Sequence, residues 1–201
     1  LPAISTTDTT PIVRVSDNNP AEIMKALDAG ALGVIVPLVN NRAEAEAAVA
    51  ACRYPPDGVR SFGPARAALY GGAGYVREAN DEIACIAMIE TREGLENLDA
   101  IVSTPGLSAV YIGPSDLAYA LGLPPAGDTD NPLHLETVGR IQQACRAAGT
   151  PVGIHTSSLA YARLRLEAGF NFVTLGSDTG FMMAAAASQL AEARKAIRLR
   201  A

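Results

Sequence analysis

The chain has 201 residues, of which 49% are hydrophobic, and this predicts one globular domain with a sizeable core. Its net charge of −5 and the absence of a basic stripe argue against a nucleic-acid partner. No apolar run approaches the ~18 residues of a membrane helix, and no basic leader opens the chain, so we expect a cytoplasmic protein with no membrane contact. The three cysteines are widely spaced, which predicts buried, reduced thiols.

In chain order, six apolar segments are predicted strands, and each is followed by a helix or a long loop. The predicted strands are 11–15, 33–39, 83–90, 109–116, 151–155 and 170–178. The predicted helices are 21–30, 40–54, 75–82, one amphipathic helix between the third and fourth strands, 133–149, 158–169 and 179–201. The segments 1–10, 55–74 and 118–132 are rich in turn-forming residues and are predicted to be irregular. The long loop 55–74 is a candidate functional loop.

This alternation predicts an α/β fold with a parallel sheet. The repeat length favours a (β/α)8 TIM barrel, which needs eight strands and about 250 residues, so two units are missing. We expect residues 1–201 to form a single barrel domain, N-terminally incomplete, with about six of eight βα units and without the first two. The alternative is an open, doubly wound sheet of six strands, but no glycine-rich dinucleotide fingerprint follows any strand.

Two of the predicted strands end in acids, Glu90 and Asp116. The carboxyl ends of parallel strands lie on the same side of a sheet, so these carboxylates are expected to converge although 26 positions separate them. Such a pair suits a hard divalent cation that keeps several water or substrate ligands. The alternative is that both acids only cap the helices that follow them. Arg14, near the end of the first strand, can bind an oxyanion or pair with Asp17 or Asp28.

Further polar groups follow other strands. The residues expected at the carboxyl ends are Arg14, Pro37, Val39, Glu90, Ser115, Asp116, His155, Ser177 and Asp178. Lys25 and Lys195, the only lysines, both fall in predicted helices, so a Schiff-base mechanism is not expected and a metal remains as the electron sink. His155 can be an acid, a base, a ligand or a pocket wall, and we favour a wall. His134 is interpreted as structural, and the run 176–180 is a weak candidate for anion binding.

Three motifs together resemble the HpcH/HpaI aldolase family of the pyruvate kinase-like barrel superfamily. They are RYPPDGVRSFG (53–63), MIETREGLENLD (88–99) and YIGPSDL (111–117), and the resemblance extends from PIVRV to GSDTG. It implies a class II, metal-dependent pyruvate aldolase that is a homo-oligomer, a hexamer or a trimer of dimers. Its partners would be pyruvate and an aldehyde, or the 4-hydroxy-2-oxo acid that they form.

The resemblance also implies roles for individual residues. Glu90 and Asp116 would bind Mg²⁺, Mn²⁺ or Co²⁺, and Arg14 would contact the keto oxygen of pyruvate. Asp28 would support the catalytic histidine, and His155 would line the aldehyde pocket. The pyruvate carboxylate would lie against the backbone of Gly113, Pro114, Ser115 and Asp116.

The implied reaction is the reversible aldol cleavage of 4-hydroxy-2-oxo acids through a metal-stabilised pyruvate enolate. The family's catalytic histidine, which follows its second strand, has no counterpart in these 201 residues, in keeping with the two missing units. Two alternatives stay open. One is a lyase of the citrate lyase beta or malyl-CoA type, which should need a basic CoA-binding surface, and the other is a non-catalytic barrel that binds 2-oxo acids.

Overall fold

The computed structural model describes residues 1–198, with side chains through 195. Six parallel strands form one curled sheet in the order β1-β2-β3-β4-β5-β6, which is a half-barrel. The strands are β1 Ile12–Arg14, β2 Gly33–Val36, β3 Ala84–Ile89, β4 Ala109–Ile112, β5 Val152–Ile154 and β6 Phe172–Val173. All six predicted strands are present, each shorter than its apolar run. The predicted α/β class and the parallel sheet are confirmed.

Ten α-helices lie within the described residues. They are α1 Pro20–Asp28, α2 Arg42–Cys52, α3 Ala65–Gly71, α4 Tyr75–Glu82, α5 Arg92–Glu96, α6 Leu98–Val102, α7 Pro114–Ala120, α8 Pro132–Ala148, α9 Leu159–Glu167 and α10 Asp178–Arg198. A short 3-10 helix occupies Ile4–Thr6. Asparagine or serine side chains cap α1, α2, α8 and α9. Positions 199–201 of the predicted last helix lie outside the described residues. No helix in the described part is long and apolar enough to cross a membrane.

Three predictions differ from the structure. Residues 114–116, predicted to end the fourth strand, and 118–120, predicted to be irregular, belong to α7. The single helix predicted between β3 and β4 is two short helices, because Asn97 leaves helical geometry and its side-chain amide donates to the carbonyl of Asn40. The apolar positions on which the prediction relied, Leu95, Leu98 and Ile101, are nevertheless buried. The segment 55–74, predicted to be irregular, contains α3.

The core has two parts, one on each face of the sheet. The larger cluster lies between the sheet and the outer helices and includes Val34, Ile89, Ile112, Leu117 and Ile141. A smaller cluster lines the inner face and consists of Ile86, Met88, Ala109 and Tyr111. This inner cluster forms the floor beneath the carboxyl ends of the strands. It lies between the carboxyl edge and the amino edge of the sheet, and these two edges carry different polar side chains.

Candidate active site

The carboxyl edge of the sheet gathers candidate site residues from β1, β3, β4 and β5. Ile89 of β3 pairs with Ile112 of β4, so Glu90 and Gly113 follow neighbouring strand ends. The amide of His155 donates to Ile112 O, which places His155 beside the same tip. Arg14 is the last residue of β1 and pairs with Ile35. The predicted convergence at this edge therefore has a geometric basis.

A cavity of about 430 Å³ opens at this edge. It is lined by Ile12, Arg14, Ile35, Met88, Tyr111, Gly113, Pro114, Ser115, Asp116, His155 and Thr174. This volume lies in the range of small-molecule sites, and the wall is mainly apolar with a few polar groups. Of the predicted substrate-binding residues, Arg14, Gly113, Pro114, Ser115, Asp116 and His155 all line it.

Glu90 follows β3 at this edge, is 2% exposed and lies behind Gly113 rather than in the cavity lining itself. Its Oε1 accepts a hydrogen bond of 2.9 Å from the amide of Leu38, 52 positions away. Its Oε2 is buried and has no hydrogen-bond partner among the described residues. Gly113 allows this close approach, because a Cβ here would displace Glu90 Oε2 and the methyl carbon of Met88, which would lie 2.7 Å from it. The bare backbone of Gly113 therefore leaves one carboxylate oxygen free at the strand tip.

Four effects set the pKa of Glu90. Burial raises the pKa most strongly, and the Leu38 N–H opposes this rise. The carboxylate of Asp116 raises the pKa further, while the guanidinium of Arg14 lowers it. The two charges that line the cavity therefore act on the same buried acid. A cation in this space would relieve both the burial and the repulsion between the acids.

Asp116 lies in the first turn of α7 and is exposed. Neither acid is a helix cap, since the cap of α7 is Gly113 without a side-chain bond, and the cap of α5 is Thr91. Within the described residues no cluster of three or more His, Cys, Asp or Glu side chains could hold a metal. A site here would therefore have two protein carboxylates and would fill its remaining positions with water or substrate oxygens, as Mg²⁺ commonly does.

His155 forms one wall of the cavity. Its Nδ1 lies 3.1 Å from the hydroxyl of Tyr111, and the donor depends on the imidazole tautomer. Tyr111 stacks on Phe172 with ring centroids 5.7 Å apart. These contacts hold His155 by its Nδ1 side at the cavity rim.

Asp28 lies elsewhere. It ends α1, and because this helix leads into the start of β2, Asp28 belongs to the amino edge of the sheet. Its Oδ1 accepts a 2.7 Å hydrogen bond from the buried Arg60, and it does not line the cavity. The structure therefore does not bring Asp28 together with Glu90 and Asp116, and its predicted role beside a histidine needs contacts from outside this cavity.

The structure also gives the positions of the other residues predicted at the carboxyl ends of the strands. Arg14 makes no salt bridge within the described residues, so neither predicted pairing with Asp17 or Asp28 forms. Ser177 lines a neighbouring cavity that shares His155 with the first. Pro37 and Val39 are buried in the core around the end of β2.

Sequence reasoning missed several contributors to this site. Leu38 supplies the amide that holds Glu90, and its φ of 54° is unusual for a leucine. Met88 and Tyr111 point into the cavity, and the signal for them was available, since they alternate with outward-facing neighbours along β3 and β4. Thr174 follows β6 and was hidden by the overlong strand prediction.

Comparison with known proteins decides the family. The model of the protein family described as HpcH/HpaI aldolase/citrate lyase matches residues 1–185. The chain belongs to this family. It is a carbon–carbon lyase of the aldolase type, and divalent-metal dependence is general among its relatives.

Individual relatives agree with this assignment. The chain is 46% identical over 184 residues to a hydroxypyruvate/pyruvate aldolase of Rhizorhabdus wittichii, covering 92% of this chain and 73% of that protein. It is 40% identical over 191 residues to a 2-dehydro-3,6-dideoxy-6-sulfogluconate aldolase of Pseudomonas putida, with the same coverage. A crystal structure of a family member from Burkholderia cenocepacia matches with a TM-score of 0.86 at 32% identity, covering 96% of this chain and 76% of that one.

Proposed function

We propose that the protein catalyses the reversible, metal-dependent aldol cleavage of 4-hydroxy-2-oxo acids to pyruvate and an aldehyde. The observation that supports this most directly is Glu90. It is a buried carboxylate whose Oε2 has no partner in the described part of the chain, at a strand tip beside Asp116. A buried carboxylate without a partner is costly, and a bound cation is the partner that this environment fits.

Glu90 and Asp116 would hold the divalent cation. Mg²⁺, Mn²⁺ and Co²⁺ all accept carboxylate oxygens, and the donor set does not choose among them. When bound, the cation would draw electron density from the keto group of pyruvate and make its methyl protons more acidic.

Arg14 would orient the keto oxygen. Its guanidinium carries a permanent charge and has no salt-bridge partner within the described residues, so its donors are available to a ligand. As negative charge grows on the keto oxygen during carbon–carbon bond cleavage, a fixed guanidinium stabilises it without reorganisation.

The turn 113–116 would receive the pyruvate carboxylate. Pro114 has no N–H, and the amides of Ser115 and Asp116 lie in the first turn of α7, where no helical carbonyl can accept from them. Gly113 keeps this backbone free of a side chain. Ile35, Met88 and Tyr111 would exclude water from the face where the pyruvate methyl group lies.

His155 would face the aldehyde half of the substrate. Because Tyr111 holds its Nδ1, its Nε2 is the nitrogen left for the carbonyl or hydroxyl oxygen of that half. His155 also lines the neighbouring cavity, which gives longer aldehydes a direction in which to extend.

We further propose the barrel and its assembly. The sheet order leaves β1 and β6 with one neighbour each, and two more strands between these edges would complete an eight-unit barrel. Exposed Phe181, Met182, Met183 and Leu190 on α10 support the homo-oligomer, a hexamer or a trimer of dimers.

A lyase acting on CoA thioesters is the second candidate, because the family description includes citrate lyase. Among the described residues, Arg14 is the only arginine or lysine that lines the cavity, which favours the simple 2-oxo acid. Parallel assays with 4-hydroxy-2-oxo acids and with malyl-CoA and citramalyl-CoA would distinguish the two. If the protein cleaves the thioesters, with release of acetyl-CoA or pyruvate, and does not cleave the 4-hydroxy-2-oxo acids, the proposal is overturned.

The main experiment compares Glu90→Gln and Asp116→Asn with the wild type. We expect each variant to weaken Mn²⁺ binding, measured by calorimetry, by at least about 100-fold, since loss of a ligand should exceed the 10–100-fold cost of losing a supporting residue. Glu93→Gln and Asp99→Asn are matched controls, because both residues are exposed acids of α5 and α6. The exchange of pyruvate methyl protons for deuterium, followed by NMR, should need Mn²⁺, Glu90 and Asp116.

Two outcomes would contradict the proposal. Cleavage that survives both substitutions and excess chelator would exclude the metal mechanism. Metal-dependent pyruvate binding without methyl exchange would indicate a non-catalytic 2-oxo-acid binding protein instead.

A further inference from the structure

His134 lies on α8, directly behind the turn 113–116. It is fully buried, and its Nε2 is 3.0 Å from the carbonyl oxygen of Pro114. Asn131 caps α8 by accepting from the amides of Leu133 and His134, so the backbone that carries this imidazole is itself fixed. The sequence alone gave His134 only a general structural role.

The chemistry of this contact fixes the state of the ring. A carbonyl oxygen only accepts hydrogen bonds, so Nε2 must carry the proton and donate it to Pro114. Nδ1 is buried without a partner among the described residues, so a second proton there would be an unpaired buried charge. Burial accordingly lowers the pKa of His134 below its ordinary value. The imidazole is therefore a neutral donor with one tautomer.

Asp116 depends on its backbone for position. Glu90 is held by the Leu38 amide, but Asp116 makes no side-chain hydrogen bond in the described structure and is exposed. Its carboxylate is therefore aimed by the first turn of α7. Pro114 opens that turn and has no N–H through which a neighbour could hold it, so an outside group can hold its backbone only through the second lone pair of its carbonyl, beside the helical hydrogen bond.

We infer that His134 is a positioning residue for the candidate metal and oxo-acid site, acting through the Pro114 carbonyl on the turn that carries Ser115 and Asp116. This inference rests on the proposed function for its metal part. Supporting groups one contact away from a ligand commonly change metal affinity by about 10–100-fold when they are lost. His134 supports the backbone of the ligand rather than its carboxylate, and it does so from inside the core.

Two amide substitutions test this with the same functional group at two lengths. In His134→Gln the side-chain nitrogen reaches about as far as Nε2 and can still donate to Pro114. In His134→Asn it reaches only about as far as Nδ1 and leaves the carbonyl without its donor. We expect His134→Asn to weaken Mn²⁺ binding by about 10-fold or more. The Mn²⁺ affinity of His134→Gln should stay within about threefold of the wild type, which is less than the loss expected for a missing supporting group.

Ile141→Ala is the matched control for lost packing, because Ile141 is fully buried on the same helix, about two turns after His134. It should lower the melting temperature without changing Mn²⁺ affinity. Equal Mn²⁺ affinity in His134→Asn and the wild type would overturn the inference. So would an equal loss in the Asn, Gln and Ile141→Ala variants, since that result would show a purely structural role.

Hydrogen exchange in metal-free protein gives a second readout. The amide of Leu117, which donates to Gly113 O across the first turn of α7, should exchange faster in His134→Asn than in the wild type and His134→Gln, while the amides of α9 stay unchanged. If wild-type protein binds no Mn²⁺, the proposed function and the metal part of this inference both fail, and exchange still decides whether His134 anchors the turn. If the wild type binds and exchange is unaltered by His134→Asn, the inference alone fails.

Discussion

The two edges of the sheet each bury a charged side chain, and they treat it in opposite ways. At the amino edge Arg60 is 1% exposed and forms a 2.7 Å ion pair with Asp28. It also donates to the Tyr75 hydroxyl, and its guanidinium carbon lies 4.5 Å from the ring centroid of Tyr54. At the carboxyl edge Glu90 is equally buried. Both side chains leave buried atoms without a partner in the described chain, Nε and Nη1 of Arg60 and Oε2 of Glu90, but Arg60 faces a carboxylate and Glu90 faces a second acid, Asp116.

This difference separates a structural charge from a functional one. Moving a charge out of water costs several kcal/mol, and an opposite charge nearby must offset that cost. Arg60 finds this partner within the chain, so its pairing serves the fold. Glu90 faces another carboxylate, and Arg14 is the only cation that the structure shows acting on it. The missing compensation at the carboxyl edge is what a bound cation would supply.

The sharpest test of this comparison removes one carboxylate from each edge. Asp28→Ala leaves Arg60 as an unpaired buried cation, and we expect it to lower the free energy of unfolding by about 3–5 kcal/mol. Glu90→Gln removes a charge that has no strong partner, so without metal it should leave the unfolding free energy unchanged or raise it. Urea denaturation in the presence of EDTA measures both.

The double variant Asp28→Ala/Arg60→Met is the control, since removing both charges should recover much of the loss. A loss in Glu90→Gln as large as that in Asp28→Ala would show that the two buried charges play the same role.

The next largest effect concerns the cation at the carboxyl edge. Arg14→Lys keeps the charge but loses the planar pair of donors, so we expect kcat for cleavage to fall by about 10²–10³-fold while Mn²⁺ affinity is little changed. Steady-state kinetics and calorimetry measure the two quantities. Arg42→Lys is the matched control, because Arg42 is an exposed arginine paired with Glu46 on α2. An unchanged kcat in Arg14→Lys would remove Arg14 from the reacting centre.

The carboxyl edge could be predicted from the sequence to a large extent, because its logic is local. Apolar runs that end in acids identify strand tips, and the rule for parallel strands brings Glu90 and Asp116 to one side. Each step uses only residues within one βα unit or the direction shared by neighbouring strands.

The amino edge could not be predicted in the same way. Arg60 and Asp28 are 32 positions apart and meet through packing between a loop and a helix end. The same is true of Leu38, whose left-handed φ reflects a contact with Glu90, and of Asn97, whose amide is drawn to Asn40. No local pattern encodes these contacts. The role of Asp28 beside a catalytic histidine came only from the resemblance, without a geometric argument, and it stays a prediction.

A smaller effect should appear in the pH dependence of stability. Burial is the main cause that lowers the pKa of His134 in the folded state, so the unfolded chain binds this proton more readily, at its ordinary value near 6.5. Its contribution to stability is therefore present above pH 6.5 and is lost as the pH falls below it. Each unit of difference between the two pKa values costs about 1.4 kcal/mol.

Urea denaturation from pH 7.5 to pH 5 would measure this loss. His134→Gln cannot titrate and should lose less stability over the same interval. If the unfolding free energies of the wild type and His134→Gln fall equally between pH 7.5 and pH 5, groups other than His134 dominate the pH dependence.

The smallest effect concerns the backbone that holds Glu90. Leu38 is the only non-glycine residue with positive φ in the described chain, and this conformation costs a residue with a side chain roughly 1–2 kcal/mol. Leu38→Gly should remove that strain, against an entropic cost of about 0.5–1 kcal/mol, so stability should stay equal or rise by up to about 1 kcal/mol. Because the amide of residue 38 is kept, Mn²⁺ affinity should not change.

Leu175→Gly is the matched control, since Leu175 is also an exposed leucine in a connecting segment, with ordinary φ. It should be destabilised by about 0.5–1 kcal/mol, the entropic cost alone. The difference between the changes in unfolding free energy caused by Leu38→Gly and Leu175→Gly measures the strain at residue 38. An equal loss in both would mean that the left-handed turn costs nothing, and the Leu38 amide would then hold Glu90 without any strain to be offset at this edge.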